Sequence, residues 1–397
     1  MMTWETKPLD LRRYREEFVK QYRRYCGAVH EGHGRKIHQL ENLLLRSHSG
    51  KVLALARAAQ KKGYPLYGAK LEMMANMLSC WEQPSQPATL YFMEKPDGSL
   101  RWIFRYGVFR AAQQYLVRWV LAPRLRLHEG QYAIPGRDRT AAVEKAKQLI
   151  GAGYDWIIRG DVKDYYPSMN GEKALALLPG PPAVLRQVVL PPPGGLLLFP
   201  PGYALAEEVR RGLPQGAATT PMVAAAVLAP VLDELPDAVV VIIYVDDFAI
   251  FASSKAAAAS AMNTLQQALW AAPVGHLELK FCDIHHVTEG FGFLGYHIFR
   301  SAGGGATACP SQAGFERLDE QLDAVDAAPF ANPHAEKMAR LISWRCSYAA
   351  WDGGGTADDT LIAILGNPFG GDLEELVELI RLRAQKTKEK VKPKTLL

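Results

Sequence analysis

Two consecutive aspartates placed just after a run of β-branched residues constrain this chain more than any other feature. The run extends from Val239 to Ile243, and only a Tyr-Val pair separates it from Asp246 and Asp247. A β-branched run of this kind is typical of a buried central strand. Carboxylates that follow such a strand are costly to bury unless a cation compensates them. The pattern therefore predicts a strand, a tight turn and a partner strand, with negative charge concentrated at the turn.

Two further segments carry related signals. RGDVKDYYPSM places Asp161 at the end of the apolar strand DWIIRGDV, and GLPQGAATTP is a glycine-bounded turn that opens a helix of small residues. Hard divalent cations such as Mg²⁺ prefer carboxylate oxygens and bind together with substrate phosphates. Two such ions about 3.5–4 Å apart can activate a hydroxyl group and stabilise a phosphate leaving group. Asp161 and Asp246 are the natural bridging ligands; the alternative is a plain hairpin turn, with Asp161 as a helix cap.

In chain order, these segments resemble the motifs of the reverse transcriptase family. RGDVKDYYPS is similar to its first palm motif, GLPQGAATTP to its LPQG motif, YVDDFAIF to its YxDD box and GFGFLGYHI to its FLG primer grip. The resemblance implies an α+β right-hand polymerase with fingers, palm and thumb, which is an RNA-directed DNA polymerase. It also implies catalysis by Asp161, Asp246 and Asp247. These three and Val162 would bind the metal ions, and Phe293, Leu294 and Gly295 would form the primer grip.

The same resemblance extends to residues that would bind the incoming nucleotide. EKPDGSLRWI resembles the fingers hairpin of bacterial reverse transcriptases, so Lys95 and Arg101 are expected to contact the triphosphate. Tyr166 occupies the position of the bulky residue that rejects a 2′-hydroxyl, which favours dNTPs over NTPs. Gln215 and Gly216 would lie against the templating base and the incoming nucleotide. The alternatives are a solvated β-turn for the hairpin and a core position for Tyr166.

Two lesser signals lie in the segment LELKFCDIHH. By the resemblance, Lys280 is a candidate general acid that would protonate the leaving pyrophosphate. Cys282, His285 and His286 offer a weaker zinc hypothesis, because no Cys-x-x-Cys accompanies them. The favoured interpretation of this segment is a surface hairpin near the palm.

The N-terminal region is rich in basic residues with tyrosines between them. Arg12, Arg13, Arg23 and Arg24 are the candidate RNA-binding residues, since such clusters neutralise phosphates. QLENLLLRSHSGKVLALARAAQKKG resembles the N-terminal extension of group II intron proteins, which helps to bind their RNA. The alternative is a solvated helix face. Among reverse transcriptases, the chain most resembles the stand-alone, group-II-like bacterial enzymes, a set that includes retron, phage-defence, abortive-infection, diversity-generating and CRISPR-associated proteins.

Periodicity and the resemblance together predict four regions. They are a helical N-terminal extension (1–70), fingers (71–150), a palm (151–300) with a Pro-rich insertion or surface loop (178–203), and a helical thumb with a basic tail (301–397). Helices are expected at 9–30, at 36–62 with a break near 47–50, and at 108–127, 139–150, 220–234, 255–271, 311–326, 333–350 and 371–390. A hairpin is expected at 88–104.

The resemblance also leads to expectations about the cofactor, the substrates, the partners and the cellular location. The cofactor is Mg²⁺ as two ions, with Mn²⁺ as a substitute, and the substrates are dNTPs and an RNA template, preferably a structured non-coding RNA, with DNA as the product. The bacterial subtype places the enzyme in anti-phage defence, with a homo-oligomer or an accessory protein as further partner. No apolar run reaches the roughly 18 residues of a membrane span, and the cysteines are sparse, so a cytoplasmic protein is expected. The alternatives are an RNA-binding maturase or scaffold with vestigial polymerase activity, and a template-independent nucleotide-adding polymerase.

Overall fold

The structure, a computed structural model, describes residues 10–64, 68–82, 87–95, 98–134, 136–200, 207–301, 303–330 and 332–351. The α-helices are α1 (Leu11–His30), α2 (Gly34–Arg46), α3 (His48–Lys61), α4 (Gly68–Met77), α5 (Val108–Leu121), α6 (Arg139–Gly151), α7 (Tyr165–Ser168), α8 (Gly171–Ala176), α9 (Pro182–Val189), α10 (Glu207–Arg211), α11 (Thr220–Leu232), α12 (Lys255–Trp270), α13 (Gln312–Asp326) and α14 (Pro333–Ser347). The strands are β1 (Ala88–Glu94), β2 (Leu100–Arg105), β3 (Trp156–Val162), β4 (Leu197–Leu198), β5 (Val239–Tyr244), β6 (Asp247–Ala252), β7 (Leu279–His286), β8 (Phe291–Phe293), β9 (Tyr296–Arg300) and β10 (Ala306–Pro310). These mixed elements confirm the predicted α+β class.

Two compact units divide the described residues. The first comprises those up to His128 together with Lys163–Asp233 and Ala268–Glu278. The second comprises Glu129–Val162, Glu234–Gln267 and the described residues from Leu279 onwards. The chain therefore passes from one unit to the other several times.

The N-terminal helices of the first unit form as the sequence predicts. Ser47 separates α2 from α3. Its side chain accepts a hydrogen bond from the Gly50 amide at 3.2 Å, which caps the N-terminus of α3. Tyr25 of α1 is fully buried, and its hydroxyl donates to the Val120 carbonyl of α5 at 2.8 Å. The predicted helices at 9–30 and 36–62 and the break between α2 and α3 are thus confirmed, at slightly different bounds.

The predicted hairpin at 88–104 is confirmed by the antiparallel pairing of β1 with β2. The Pro-rich stretch 178–203, described up to residue 200, differs there from the expected surface loop. Within it α9 buries Val184, Leu185, Val188 and Val189, and β4 adds a parallel partner to β1. Pro182 stands at the first turn of α9, where a proline ring fits without losing a helical hydrogen bond. The prolines therefore start a helix here instead of excluding one.

A four-stranded antiparallel sheet, in the order β5-β6-β3-β7, lies in the second unit. The sheet is accompanied by a smaller one in the order β10-β9-β8. Ile157 of β3, Ile242 of β5 and Phe251 of β6 share a core with α6 and with the small sheet. In this arrangement β3 is an interior strand, bordered by β6 and β7.

The segment LELKFCDIHH is the clearest correction to the sequence-based expectation. It forms β7, which pairs with β3 along its length from His286 opposite Trp156 to Leu279 opposite Val162, so it is a strand of the main sheet and not a surface hairpin. Among the described residues, no group of three or more His, Cys, Asp or Glu side chains has the geometry of a metal site. The zinc hypothesis therefore gains no support.

The C-terminal part of the second unit contains α13 and α14, as predicted. Trp344, Tyr348 and Trp351 are buried; the two tryptophans pack against Phe315 and Tyr348 packs against Trp344, so these aromatic side chains belong to the core. The predicted helix at 371–390 and the lysine-rich tail lie outside the described residues. Of the helices in the described ranges, none combines the length and the hydropathy that a bilayer crossing requires.

Candidate active site

The three predicted aspartates lie at one end of the main sheet of the second unit. Asp161 of β3 is the cross-strand partner of Asp247 of β6. Tyr244 pairs with Asp247, so Asp246 lies in a two-residue turn between β5 and β6. The backbone amide of Val162 donates to the Asp246 carbonyl at 3.4 Å. Strand pairing therefore brings all three aspartates together, as the sequence predicts.

The turn that presents Asp246 has an unusual backbone. Val245 has φ of 66°, in the left-handed region that a β-branched residue rarely occupies. A two-residue hairpin turn requires positive φ at its first central position, where glycine is the usual choice. Holding valine there costs on the order of 1–3 kcal/mol, and such strain is concentrated at functional positions. The surrounding strands thus force the turn into the conformation that carries Asp246.

Gly160 precedes Asp161 because the neighbouring strand leaves no room for a side chain. Its cross-strand partner is Phe248, and a Cβ at position 160 would overlap the Phe248 ring. The ring lies directly over the β3 backbone. The glycine of the RGD segment is therefore a packing requirement that lets β6 approach the strand of Asp161.

Burial and charge repulsion act together on Asp161. Burial raises the pKa of its carboxyl, and the carboxylates of Asp246 and Asp247 raise it further, to about 6. Lys280 and Arg159 act in the opposite direction. Lys280 lies at a β-bulge, since Phe281 pairs with Asp161 whereas Leu279 pairs with Val162. The predicted general acid is thus close enough to Asp161 to act on its charge.

Arg159 is the residue of this site that the sequence did not single out. It is 6% exposed, and its Nη2 donates to the Asp247 Oδ1 at 2.6 Å. The same guanidinium donates from Nε to the Gly292 carbonyl at 2.6 Å and from Nη1 to the Phe248 carbonyl. The sequence does contain a signal for Arg159, because an arginine inside the apolar strand DWIIRGDV needs a buried hydrogen-bond acceptor. The sequence does not say which one.

The acid cluster offers several oxygen donors to a cation. Asp247 is paired with Arg159 through Oδ1, and the candidate ligands are Asp161, Asp246 and Asp247, with the Val162 carbonyl. Mg²⁺ is usually held by one or two carboxylates and completes its shell with water and substrate phosphates. The concentrated negative charge that raises the pKa of Asp161 is the environment that a divalent cation would relieve. The donors are therefore of the chemical kind that such an ion prefers, while among the described residues no three carboxylates have the spacing of a complete metal site.

The raised pKa of Asp161 leads to a stability prediction. Because the folded-state pKa of about 6 exceeds the ordinary value of 3.8, the folded protein is more stable with this carboxyl protonated. That stability is fully present below the unfolded value and is lost as the pH rises through the folded value. Since the carboxyl is only half-buried, solvent screening reduces the effect to about 1–2 kcal/mol. In metal-free protein near pH 8, Asp161→Asn should raise the free energy of unfolding by this amount.

Denaturant titrations between about pH 4 and pH 8 in the presence of a chelator would measure this difference. Asp319→Asn, at an exposed position of α13, is the matched control and should follow the wild type. Added Mg²⁺ should stabilise the wild type more than Asp161→Asn. Parallel pH profiles for wild type and Asp161→Asn would contradict the assignment of charge repulsion to Asp161.

The first unit assembles the residues predicted to bind a nucleotide around the hairpin of β1 and β2. Lys95 Nζ donates to Asp164 Oδ1 at 2.8 Å, and Arg101 of β2 is exposed. The Gln215 carbonyl accepts from the Phe104 amide at 2.8 Å. The LPQG turn is therefore hydrogen-bonded to β2.

Gly216 and Tyr166 add to this arrangement. Gly216 has φ of 104°, and a Cβ there would overlap the Phe104 carbonyl, so the close approach of the turn requires glycine. The carbonyl of Tyr166, in α7, accepts from the Leu213 amide at 3.0 Å. A backbone hydrogen bond thus joins Tyr166 to the LPQG segment.

The predicted primer grip is a tight turn between β8 and β9. Phe293 pairs with Tyr296, and Leu294 and Gly295 have φ of 51° and 80°. Phe293 is 1% exposed and packs in the core, so the turn residues that follow it are the ones that a primer could reach. The predicted RNA-binding residues Arg12, Arg13, Arg23 and Arg24 are all exposed on α1.

The family profile described as reverse transcriptase (RNA-dependent DNA polymerase) matches residues 93–298, which include the three aspartates, Lys95, Tyr166, Gln215 and Lys280. A solved structure, Sicinivirus 3Dpol RNA dependent RNA polymerase, is 11% identical, with a TM-score of 0.45, over 82% of this chain and 68% of that chain. No curated protein matches the sequence. The profile match and the mixed helices and sheets confirm the predicted α+β polymerase class.

Proposed function

The chain belongs to the reverse transcriptase family, and from this premise we propose that it synthesises DNA on an RNA template from dNTPs by two-metal-ion nucleotidyl transfer. The observation that carries the proposal is the acid cluster of the second unit. Asp161 of β3 lies beside the strained turn that carries Asp246, and the carboxyl of Asp161 has a pKa raised to about 6. A site of this kind favours occupation by divalent cations.

The residues of the second unit have distinct roles in this proposal. The three aspartates of the acid cluster, with the Val162 carbonyl, would hold Mg²⁺, for which Mn²⁺ could substitute. When bound, the two cations would activate the primer 3′-hydroxyl and neutralise charge on the leaving pyrophosphate. Lys280, which already acts on the charge of Asp161, would supply the proton that the pyrophosphate requires. Leu294 and Gly295 would support the primer end.

The residues of the first unit would bind and select the dNTP. Lys95 is paired with Asp164 at 2.8 Å, and a triphosphate would offer that ammonium a stronger anion. Arg101, exposed on β2, would add a forked contact to the phosphates. Tyr166 would exclude a 2′-hydroxyl, and the turn at Gln215 and Gly216 would lie against the base pair being formed.

Primer extension by the full-length chain tests the proposal. The assay would pair one DNA primer with RNA and DNA templates of the same sequence, with dNTPs and Mg²⁺, and with Mn²⁺ in a parallel series. Asp246→Ala provides the inactive control. We expect templated products on RNA that disappear with a chelator. Products of random sequence would instead indicate untemplated addition, and absence of any product while RNA binding persists would indicate a vestigial enzyme.

A dedicated RNA partner is the second part of the proposal. Arg12, Arg13, Arg23 and Arg24 are exposed on α1, outside the residues that match the family. If they bind RNA phosphates, changing all four to Gln should weaken RNA binding about uniformly across sequences. Each lost phosphate contact should also reduce the slope of log K against log salt concentration by about one unit.

Filter binding of a structured RNA at several salt concentrations would measure both quantities. Changing exposed charges elsewhere on the chain, Arg186→Gln in α9 and Lys255→Gln in α12, gives the matched control. Extension of a short preformed primer–template should survive the four changes. Unchanged affinity and slope would mean that these arginines only solvate the helix. Anti-phage defence and a cytoplasmic location remain predictions of the sequence resemblance.

A further inference from the structure

We propose that Arg159 is a positioning residue for polymerisation, which links the catalytic turn at Asp247 to the primer-grip strand β8 and so sets the primer end in register with the acid cluster. The inference rests on the proposed function and adds to it a role for Arg159, the first residue of the RGDVKDYYPS motif, which the sequence analysis left without one. All the groups involved belong to the second unit.

The guanidinium of Arg159 joins three strands. From β3 it donates to the Asp247 carboxylate at 2.6 Å and to the Phe248 carbonyl, both in β6. It also donates to the Gly292 carbonyl of β8 at 2.6 Å. Its carbon Cζ lies 4.7 Å from the centre of the Phe293 ring, in the residue that leads into the primer-grip turn. One planar group therefore fixes the positions of both functional turns.

The chemistry of these contacts requires arginine. Its rigid fork can satisfy a carboxylate and two carbonyls while its face lies on an aromatic ring, whereas a lysine ammonium is a point charge. Burying such a pair contributes little to stability by itself, since the desolvation cost offsets the attraction. A pair retained at this cost next to the acid cluster suggests positioning.

The same unit contains a matched pair for comparison. Arg300 of β9 donates to the Asp155 carboxylate and to the Ile150 carbonyl at 3.0 Å, so it also joins an aspartate to a backbone carbonyl. Neither partner belongs to the acid cluster or to the primer-grip turn. A purely structural role would give Arg159 and Arg300 similar effects.

The test uses the full-length variants Arg159→Lys, Arg159→Gln, Asp247→Asn, Arg159→Gln with Asp247→Asn, and Arg300→Gln. The first measurement needs no catalysis. It compares the affinity for a primer–template with a recessed 3′ end with the affinity for a blunt duplex of equal length, and the ratio is the preference for a recessed 3′ end. Ca²⁺ replaces Mg²⁺ so that no nucleotide is incorporated. We expect Arg159→Lys to lose about 5- to 10-fold of this preference, and Arg300→Gln to keep it. A thermal unfolding curve of each variant reports stability separately.

The second measurement is steady-state kinetics. Arg159→Lys should lower kcat by about 10-fold with little change in KM for dNTP, because the nucleotide is held by other residues. The double variant should be no slower than the slower of its two single variants, since both changes break one link. If Arg159→Gln does not fold, the double variant, which removes both buried charges, and Arg159→Lys still decide the question.

The outcomes separate this inference from the proposed function. Wild-type protein without incorporation on any template overturns the proposed function. An active wild type whose Arg159→Lys variant keeps both kcat and the preference for a recessed 3′ end overturns the inference alone. Multiplicative effects of Arg159→Gln and Asp247→Asn would also overturn it, as would an equal loss of preference in Arg300→Gln.

Discussion

Asp246→Ala is expected to lower the rate of nucleotide incorporation by at least about three orders of magnitude, which corresponds to about 4 kcal/mol of transition-state stabilisation. Asp246 lies in the strained turn and carries a carboxylate close enough to raise the pKa of Asp161. Losing Asp246 would remove one of the three carboxylates proposed to hold the cations, and a second, Asp247, already shares its Oδ1 with Arg159. Single-turnover extension of a labelled primer would measure the effect, and Asp161→Ala should behave in the same way.

Folding must be monitored beside activity in this experiment. Removing one carboxylate relieves repulsion in the metal-free protein, so Asp246→Ala should unfold at the same temperature as the wild type or higher. Asp319→Ala, at an exposed position of α13, is the control that should retain full activity. An Asp246→Ala enzyme that still extends primers within about tenfold of the wild-type rate would overturn the two-metal assignment.

Tyr166→Val should increase the use of NTPs relative to dNTPs by about 10- to 100-fold, the range that a pocket achieves when it discriminates by fit alone. Removing the ring opens space where the 2′-hydroxyl would lie, and the backbone bond from Leu213 to Tyr166 keeps the smaller residue in place. The measurement is the ratio of kcat/KM values for one matched NTP and dNTP on the same primer–template.

Tyr166→Phe separates the ring from its hydroxyl. This variant keeps the steric bulk and should retain the wild-type ratio, whereas a gate that depends on hydrogen bonding would respond to both changes. If Tyr166→Val leaves the ratio unchanged, Tyr166 is a structural residue and sugar selection must be assigned elsewhere.

The sequence allowed most of these elements to be predicted because their signals are local. The β-branched run and the Asp-Asp pair determine the hairpin of β5 and β6, and the break at Ser47 is marked by a capping side chain. The strand β7 was missed because most of its residues are half-buried or exposed, without apolar alternation, and it is a strand through its pairing with β3.

Two other features, the helix α9 and the role of Arg159, were not predicted from the sequence for the same reason. The helix α9 follows prolines that suggested a loop, yet four apolar residues bury one of its faces. Arg159 could be recognised as unusual in an apolar strand, but its partners are 88 and 133 residues away along the chain. Local sequence patterns do not encode such distant contacts, so the partners of Arg159 could be identified only from the folded structure.

The interior position of β3 has a consequence for biosynthesis. Its two neighbours, β6 and β7, both come later in the chain, and the Gly292 carbonyl that Arg159 needs is 133 residues downstream. At a translation rate of about 5–20 residues per second, the nascent strand bearing Asp161 would wait on the order of 10 s for its partners. Non-local pairing of this kind folds slowly and leaves apolar strands open to aggregation. Slower elongation or chaperone binding during synthesis should therefore affect the yield of active enzyme more than changes in its final stability do.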